Sequence, residues 1–553
     1  MAMSRRRKWC LAIAVTLALL FLILPPLLGL ALRGMVEKKI AAHLNAPVRL
    51  GSLYVTLISP GMQLIQLEVG KSAPECAGEP MVRIDSLQLG VTLGTLFGGD
   101  PHVTTLRIKS AEIHLGCDDK KGAATLARFI SQLPPSDRKV PLPIDHVSVR
   151  ECKIFLHVPK QLMAPQSALE PEPVRIDLRR LSVSDLLLPA PGQAAPKDVW
   201  TEIVVTGLSV QAPLKDVPAV PDPVEAGEPL EEGLFVDKIS GQIQIPSSLT
   251  APLQIRSVKV EGLQARNLLR GPLDPETFTR IHAAREFCLK APPPKPAAQG
   301  MTLGNGSIYL EDLSVGNSSL EIQGPDGNGK PCFWRLTDLN VSLAKFGFGP
   351  GAGSPTGGHL KISSPSKSSA GDGNILVEWN DVAGNWPKSS FTKKVEVTGV
   401  ALAPLSARVQ KRSNAGVTQG SLSSEFHGTT TDGKLHWDGS VTLSKDTQLN
   451  GAGVTAEITS RLARVANGAP IKTIRVRGSL DDPKVEMPDF LAGAALYLAE
   501  SVLLDAPVSA LKMFGSAMES AIDQGVRETE KALKKIPGIG GLFGGGDEKK
   551  TGE

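Results

Sequence analysis

The chain has 553 residues, a formal net charge of +4 at pH 7, and 41% hydrophobic but only 4% aromatic residues. Its 60 basic and 56 acidic residues nearly balance, so nothing in the composition favours a nucleic-acid-binding protein. The 55 glycines and 43 prolines favour many short strands and turns over a bundle of long helices.

The N-terminal segment predicts a transmembrane helix over residues 10–32. Four consecutive basic residues (5–8) precede 23 residues without a charge, and Arg33 follows them. A helix rising about 1.5 Å per residue crosses a hydrocarbon core of ~30 Å with about 20 residues. The basic cluster predicts that residues 1–9 are cytoplasmic and that the bulk of the chain lies across the membrane. A cleaved signal peptide and a buried core helix are the alternatives, and the length of the run disfavours both.

After this segment the sequence predicts a series of β-strands. Residues 36–44 predict a short amphipathic helix, residues 48–57 a strand and residues 59–61 a turn. One pattern then recurs: apolar, any, apolar, any, any, apolar, any, apolar. Its copies lie at residues 62–69, 82–89, 147–154, 176–183, 203–210, 253–260, 308–315 and 395–402, with a weaker copy at 106–113.

This pattern predicts strands with one apolar face and one extra residue in the middle. Successive side chains of a strand point to opposite faces of the sheet. One extra residue would therefore move the apolar side chains of the second half of each strand to the other face. A β-bulge or tight kink absorbs it and returns the apolar set to the same side. We therefore expect a long, strongly curved antiparallel sheet with one apolar and one polar face. An ordinary β-sandwich alternates in the same way, but no linker divides the pattern into blocks of about 100 residues.

Other segments interrupt or follow the sheet. Pro-, Ala-, Gly- or Ser-rich stretches at 158–174, 188–197, 212–233 and 347–373 predict solvated loops, and residues 274–290 predict a helix. Hairpin turns are expected at Asp432-Gly433 and at residues 324–330; the latter resemble a P-loop but precede Pro331. Residues 489–536 predict amphipathic helices that cover the sheet, lie on a membrane or bind a partner, and 537–553 a disordered tail.

Residues with catalytic or metal-binding chemistry are sparse. Of the six cysteines, Cys117 and Cys152 are the favoured disulfide partners, although the spacing does not fix the connectivity. His114-x-x-Cys117 and Cys152-x-x-x-x-His157 are candidate halves of a zinc site but lack the paired spacing of known motifs. No paired carboxylates or nucleophile elbow stand out. The sequence therefore predicts no enzyme, no cofactor and no metal site.

Several short motifs carry a resemblance to a known family. The membrane segment leads into residues 45–51 (NAPVRLG) and 59–64 (SPGMQL), a strand at 103–115 is followed by 118–122 (DDKKG), and residues 470–489 contain GSLDDPK. This arrangement resembles the AsmA-like proteins of the Gram-negative envelope, which include TamB relatives. The motifs that carry this resemblance lie near the two ends of residues 1–489. The Pro- and Gly-rich segments between them differ from the family pattern.

The resemblance implies a periplasmic β-groove over residues 33–488, anchored in the inner membrane, with an apolar interior. Such proteins are thought to guide phospholipid between the membranes or to support outer-membrane assembly. Membrane lipid and a possible envelope protein are the implied partners, with no nucleic acid. The expected lipid-contact residues are Leu64, Leu67, Ile84, Leu87, Ile176, Leu178, Leu208, Val258 and Leu313. The alternative is a non-catalytic structural or assembly factor that binds envelope proteins.

Overall fold

A computed structural model describes residues 27–486 with gaps, of which the longer ones are 71–78, 117–139, 158–172, 189–198, 212–232, 245–252, 267–307, 407–415 and 451–470. The fold is mainly β and mostly antiparallel, as predicted. The chain forms two compact units. Among the described residues, unit 1 comprises those up to Glu202 and unit 2 those from Ile203 onward.

Two helices lie in the described part of unit 1: α1 at residues 27–42 and the single turn α2 at Leu93–Leu96. Helix α1 contains the last six residues of the predicted membrane span and runs into the predicted amphipathic helix. Residues 10–26 of that span lie outside the described residues. Among the helices that are described, none combines the length and the apolar character needed to cross a membrane.

Six strands of unit 1 form one sheet in chain order: β1 (Val48–Thr56), β2 (Gly61–Val69), β3 (Val82–Val91), β4 (Val103–Leu115), β5 (Leu142–Leu156) and β6 (Val174–Leu188). Every neighbouring pair is antiparallel except β4 and β5, which run parallel. The purely antiparallel prediction is wrong at this point. A parallel pair needs a connection of a dozen residues or more, and the long segment between Leu115 and Leu142 supplies it.

The extra residue of the repeated pattern lies at the same level in all six strands. The pairing register is unbroken across this level, and there the ladder omits one residue of each strand: Gly51, Gln66, Asp85, Ser110, Glu151 and Arg179. Three of these residues, Gln66, Ser110 and Glu151, have φ of 53°, 51° and 57°. We call this line the crease. It confirms the kink that the pattern predicted, and no register shift arises because each neighbour carries the same extra residue.

Unit 2 continues the chain with strands β7 (Trp200–Gln211, which begins at the end of unit 1), β8 (Gly233–Gln244), β9 (Leu253–Arg266), β10 (Ile308–Pro325), β11 (Pro331–Phe348), β12 (Gly358–Ser368), β13 (Gly371–Ala383), β14 (Asn385–Trp386), β15 (Ser390–Ala401), β16 (Gly416–Gln419), β17 (Ser421–Thr431), β18 (Lys434–Leu443), β19 (Gln448–Asn450), β20 (Ile471–Gly478) and β21 (Pro483–Glu486). Their main order is β8-β9-β10-β11-β12-β13-β15-β17-β18-β20-β21. None of the described pairings joins the two ends of this order, so the sheet is open.

Pairing in unit 2 departs from a simple meander in three places. Strands β9 and β10 are parallel, and a connection of about 40 residues separates them. The short strand β14 pairs in parallel with the end of β11, beyond the start of β12. Strands β16 and β19 form a separate two-stranded sheet.

The structure confirms both hairpin predictions in unit 2. Thr431 pairs with Lys434 around Asp432 and Gly433, whose positive φ angles of 49° and 76° suit a tight two-residue turn. Strands β10 and β11 meet at the turn that resembles a P-loop. The loop prediction for 347–373 is wrong, because Gly358–Ser368 forms β12 with its serines inside the ladder. The predicted helices at 274–290 and 489–536 and the tail at 537–553 lie outside the described residues.

Candidate functional site

The apolar face of unit 1 consists of four rows of side chains that run across the strands. On one side of the crease the rows are Val48-Val69-Val82-Ile113-Ile154-Ile176 and Leu50-Leu67-Ile84-Ala111-Cys152-Leu178. On the other side they are Leu53-Leu64-Leu87-Ile108-Val149-Leu181 and Val55-Met62-Leu89-Leu106-Val147-Val183. Six strands about 4.8 Å apart make each row about 24 Å long.

The crease holds both sets of rows on the same face. Leu64 and Leu67 are three residues apart, a spacing that places side chains on opposite faces of a regular strand. Both are nevertheless buried in one hydrophobic cluster, which also contains Ile84. The opposite face carries charges of alternating sign in the row Arg49-Glu68-Arg83-Glu112-Lys153-Asp177. The sheet therefore has the two unlike faces that the sequence predicted.

Helix α1 packs on the end of this face where β1 and β2 lie. Leu32, Val36 and Ile40 pack against the cluster. Gly29 is buried, and a Cβ atom there would lie 1.9 Å from the carbonyl oxygen of Leu53, so only glycine permits this approach. The strands on the β6 side retain more accessible surface; Leu178, for example, is half-buried.

Unit 2 also carries continuous apolar rows. One crosses nine neighbouring strands as Ile239-Val260-Val315-Val341-Ile362-Val377-Val395-Phe426 and then Gly439, and it ends at Ile474 on a tenth. Gly439 has no side chain, and the ring of Phe426 occupies the space: a Cβ atom at Gly439 would lie 2.2 Å from that ring. The row is thus continuous in packing as well as in register.

Burial increases along this face of unit 2. Ile239, at the β8 end, is half-buried. Trp379, Val441 and Ile474, at the other end, are completely inaccessible. Phe391 stacks on Trp379 with the ring centroids 4.5 Å apart. Over β13–β20 the apolar side chains of this face therefore bury one another completely. Accessible apolar surface remains near β8 and β9.

The structure places eight of the nine predicted lipid-contact residues in apolar rows, and the ninth, Leu208 on β7, packs against the hydrophobic cluster of unit 2. In unit 1, Leu64 pairs with Leu87 and Leu67 with Ile84, while Ile176 and Leu178 lie on β6. In unit 2, Val258 pairs with Leu313, and Leu208 packs against the same hydrophobic cluster. Four of the nine are buried (Leu64, Leu67, Ile84, Leu313). The half-buried five are Leu87, Ile176, Leu178, Leu208 and Val258. Their contact with lipid stays a prediction.

One lysine interrupts the second apolar row of unit 2. Lys393 stands in the row Val258-Leu313-Leu343-Leu360-Trp379-Lys393-Gly428-Trp437-Val476. It is only 4% exposed, and its Nζ lies 3.7 Å from the ring centroid of Trp437 and 5.9 Å from that of Trp379. Burial lowers the pKa of Lys393 from 10.5 to about 7. The alternation of residues 391–397 places this lysine on the apolar face, which was a signal in the sequence that we missed.

The two histidines that we considered for zinc lie together in unit 1. His114 Nδ1 is 3.1 Å from His157 Nε2, and His114 also stacks on Phe155. Burial lowers the pKa of both histidines. Cys152 is a buried free thiol, so the expected pairing with Cys117 is not formed. Its side chain belongs to an apolar row instead. No group of three or more potential metal ligands occurs among the residues that the structure describes.

A polar cleft of about 400 Å³ lies beside α1 in unit 1. Its lining combines α1, the three first strands and the crease: Arg33, Arg49, Leu50, Gly51, Gln66, Glu68, Arg83 and Asp85. Arg83 lies 3.4 Å from Glu68, 3.5 Å from Glu79 and 3.7 Å from Glu112. Sequence reasoning found none of this cleft, because its residues come from four elements that the register brings together.

Comparisons with known proteins give no match: neither a family model nor a curated protein is similar to the chain. The resemblance to AsmA-like proteins therefore rests on the short motifs quoted above and on no wider similarity. The feature of the described residues that bears most directly on function is the set of apolar rows, parts of which remain accessible.

Proposed function

We propose that this protein is an AsmA-like protein of the cell envelope that binds phospholipid through the apolar face of its sheets. It is held in the inner membrane by residues 10–32, with the bulk of the chain in the periplasm. There it guides lipid between the membranes and supports outer-membrane assembly. It acts by shielding acyl chains and without catalysis.

One observation carries this proposal: the apolar side chains form unbroken rows across the strands. An acyl chain that leaves a bilayer exposes methylene groups at a cost of about 0.8 kcal/mol each. The rows of unit 1 are about 24 Å long, and α1 covers their β1–β2 end, so the half-buried part towards β6 offers an acyl chain apolar contact. The accessible surface that remains in the rows near β6 and near β8 and β9 distinguishes them from the completely packed rows over β13–β20.

The half-buried positions are the contact surface in this proposal. Leu87, Ile176 and Leu178 serve in unit 1, and Leu208 and Val258 serve in unit 2. The buried residues Leu64, Leu67, Ile84 and Leu313 support them from within the clusters. The fully packed strands β13–β20 are the end of the apolar face and take no lipid.

The test is native mass spectrometry of the full chain purified in detergent, with extraction and analysis of bound lipid. We expect copurified phospholipid, and we expect Leu87→Asp and Leu208→Asp to reduce it several-fold because a carboxylate in the row must be desolvated. Gln88→Asp and Ser209→Asp, one residue along the same strands, are the matched controls and should retain it.

Two results would overturn the proposal. One is unchanged lipid in the Leu87→Asp and Leu208→Asp variants, since a carboxylate in the apolar face would then leave binding unaffected. The other is a preparation free of lipid that crosslinks in membranes to a defined envelope protein. That second result would favour the structural or assembly factor instead.

A further inference from the structure

We infer that one rim of the unit 1 sheet docks on a phospholipid bilayer, with Leu93 inserted among the lipids beside the first turn of α1. We call it the α2 rim; it consists of α2, the end of β1, the start of β2, the end of β3 and the start of β4, which the register places side by side. The inference rests on the proposed function, because it takes residues 10–32 as the membrane span. It adds the surface through which unit 1 meets the membrane.

Exposed apolar side chains are concentrated in one part of the described chain. Five large ones are exposed among the described residues, and all belong to unit 1: Leu27, Leu30, Met35, Tyr54 and Leu93. The described residues of unit 2 expose none. Scattered single side chains of this kind are ordinary on a protein surface, but a group confined to one region marks an interaction surface.

Four of the five lie at the α2 rim. Helix α1 packs through Gly29 on the backbone of β1 next to Tyr54, near the end of that strand. Leu27 and Leu30 lie within one turn of this contact. Leu93 follows the end of β3, two strands or about 10 Å from β1. The four side chains therefore share one end of the sheet.

Helix α1 runs from the α2 rim towards the opposite rim. The chain enters β1 there, where the amide of Gly70 donates a hydrogen bond to the carbonyl oxygen of Pro47. The uncharged residues 10–26 directly precede α1, so a span at these residues leaves the bilayer at the α2 rim. The helix exposes only apolar residues up to Ala31 and then Arg33 and two lysines. Basic residues at such a point are typical of the end of a membrane helix.

The loop that carries Leu93 directs polar groups inward and its apolar residue outward. The hydroxyl of Thr95 donates a hydrogen bond to the carbonyl oxygen of Asp100 (3.1 Å) and accepts one from the amide of His102 (2.9 Å). Residues 92–99 carry no charge, and Leu93 is 59% exposed. A loop built in this way can enter the membrane interface, because its polar groups bond to one another and its leucine meets the acyl chains.

A bilayer fits this surface better than a protein partner does. Four apolar side chains beside a helix that leads into the predicted span are too few for a stable protein interface, which takes about 20–30 residues a side. Docking at the α2 rim stands the strands of unit 1 upright on the bilayer and sets the apolar rows parallel to its surface. The row nearest this rim, which contains Val55, Leu89 and Val183, is then the first to meet an acyl chain.

The experiment measures the depth of nitroxide spin labels on the full chain in vesicles of phosphatidylethanolamine and phosphatidylglycerol. The native cysteines other than the buried Cys152 are replaced by serine, and labels are attached to Leu93→Cys, Leu30→Cys or Lys109→Cys. Oxygen concentrates in the bilayer, and a nickel complex stays in water. We expect the labels at Leu93 and Leu30 to collide more with oxygen than with nickel. The ratio should invert at Lys109, the matched control, which is exposed in the middle of β4.

Three results would refute the inference. A Leu93 label that collides mainly with nickel, while the Leu30 label lies in the bilayer, overturns the docking and leaves the proposed function standing. A Leu93 label shielded from both reagents shows that a protein covers the rim, and spin–spin broadening would identify it as a second copy. If the Leu30 and Leu93 labels both face water, the membrane anchor falls together with the docking. Lipid analysis of the same preparations then decides separately whether the apolar rows bind lipid.

Discussion

Replacement of Lys393 by methionine should stabilise unit 2. Methionine keeps the length of the lysine stem, fits an apolar row without overpacking and removes the amine. The same face of β13, β17 and β18 presents apolar, serine, threonine and glycine residues, so no described side chain there offers the amine a counter-charge. The amine of Lys393 is therefore either neutral or charged and in contact with the indole rings. Either state lowers the free energy of unfolding relative to an apolar side chain.

The magnitude follows from the pKa. A fall from 10.5 to about 7 corresponds to a penalty of about 4–5 kcal/mol at pH 7, at about 1.4 kcal/mol per pH unit. The contact with the ring of Trp437 stabilises the charged amine by about 1–2 kcal/mol and offsets part of this penalty. We therefore expect Lys393→Met to raise the free energy of unfolding by about 2–3 kcal/mol at pH 7.

The sign of the pH dependence provides an independent check. Between pH 7 and 10.5 the unfolded chain binds a proton that the folded chain lacks, so the stability of the wild type rises with pH. The advantage of Lys393→Met should shrink by about 2 kcal/mol from pH 7 to pH 9.

Urea unfolding followed by tryptophan fluorescence measures both effects. Lys394→Met is the control, because its side chain is 48% exposed and pairs with Glu396, and a surface pair is worth less than about 1 kcal/mol. A less stable Lys393→Met variant, or a stability difference that does not change with pH, would refute the reasoning.

Three further predictions concern other sites. Gly439→Ala should lower the free energy of unfolding by about 1–3 kcal/mol, because its methyl group meets the ring of Phe426; unchanged urea midpoints would contradict this. The pair His114 and His157 should destabilise unit 1 as the pH falls below about 6.5, since the unfolded chain takes up protons that the buried rings resist; thermal melts of His157→Gln should show a flatter pH profile. Cys152 should react with a thiol reagent only in denaturant, because burial covers it and raises its pKa; fast labelling of the native chain would count against the register of β5.

Much of the fold was predictable because the apolar pattern is local. Every copy of the repeated pattern forms a strand, and the kink at its centre lies where the extra residue falls, as at Gln66 and Ser110. The parallel pairs escaped prediction, because the direction of β5 beside β4 depends on a long connection and not on the pattern within either strand. Strand β12 was not predicted, because its serines and glycine have low strand propensity. Its pairing with β11 and β13 on both sides stabilises it as a strand.

The candidate site was predictable only in part. Alternation identified residues such as Leu87 and Val258 as members of an apolar face. It did not reveal which of them are covered, since burial depends on α1 and on strands far away in sequence. The cleft around Arg33 and Asp85 was also invisible, because a register across three strands, not sequence proximity, brings its residues together.

The crease limits how the sheet of unit 1 can have grown. A strand fits beside β1 or β6 only if it carries a residue outside the ladder at the same level, because otherwise half of its apolar side chains would lie on the charged face. Duplication of an existing hairpin meets this condition at once, whereas recruitment of an unrelated strand does not. Lengthening by copying is therefore the easiest evolutionary route, and deletion of a single residue such as Gln66 should harm the protein more than its substitution.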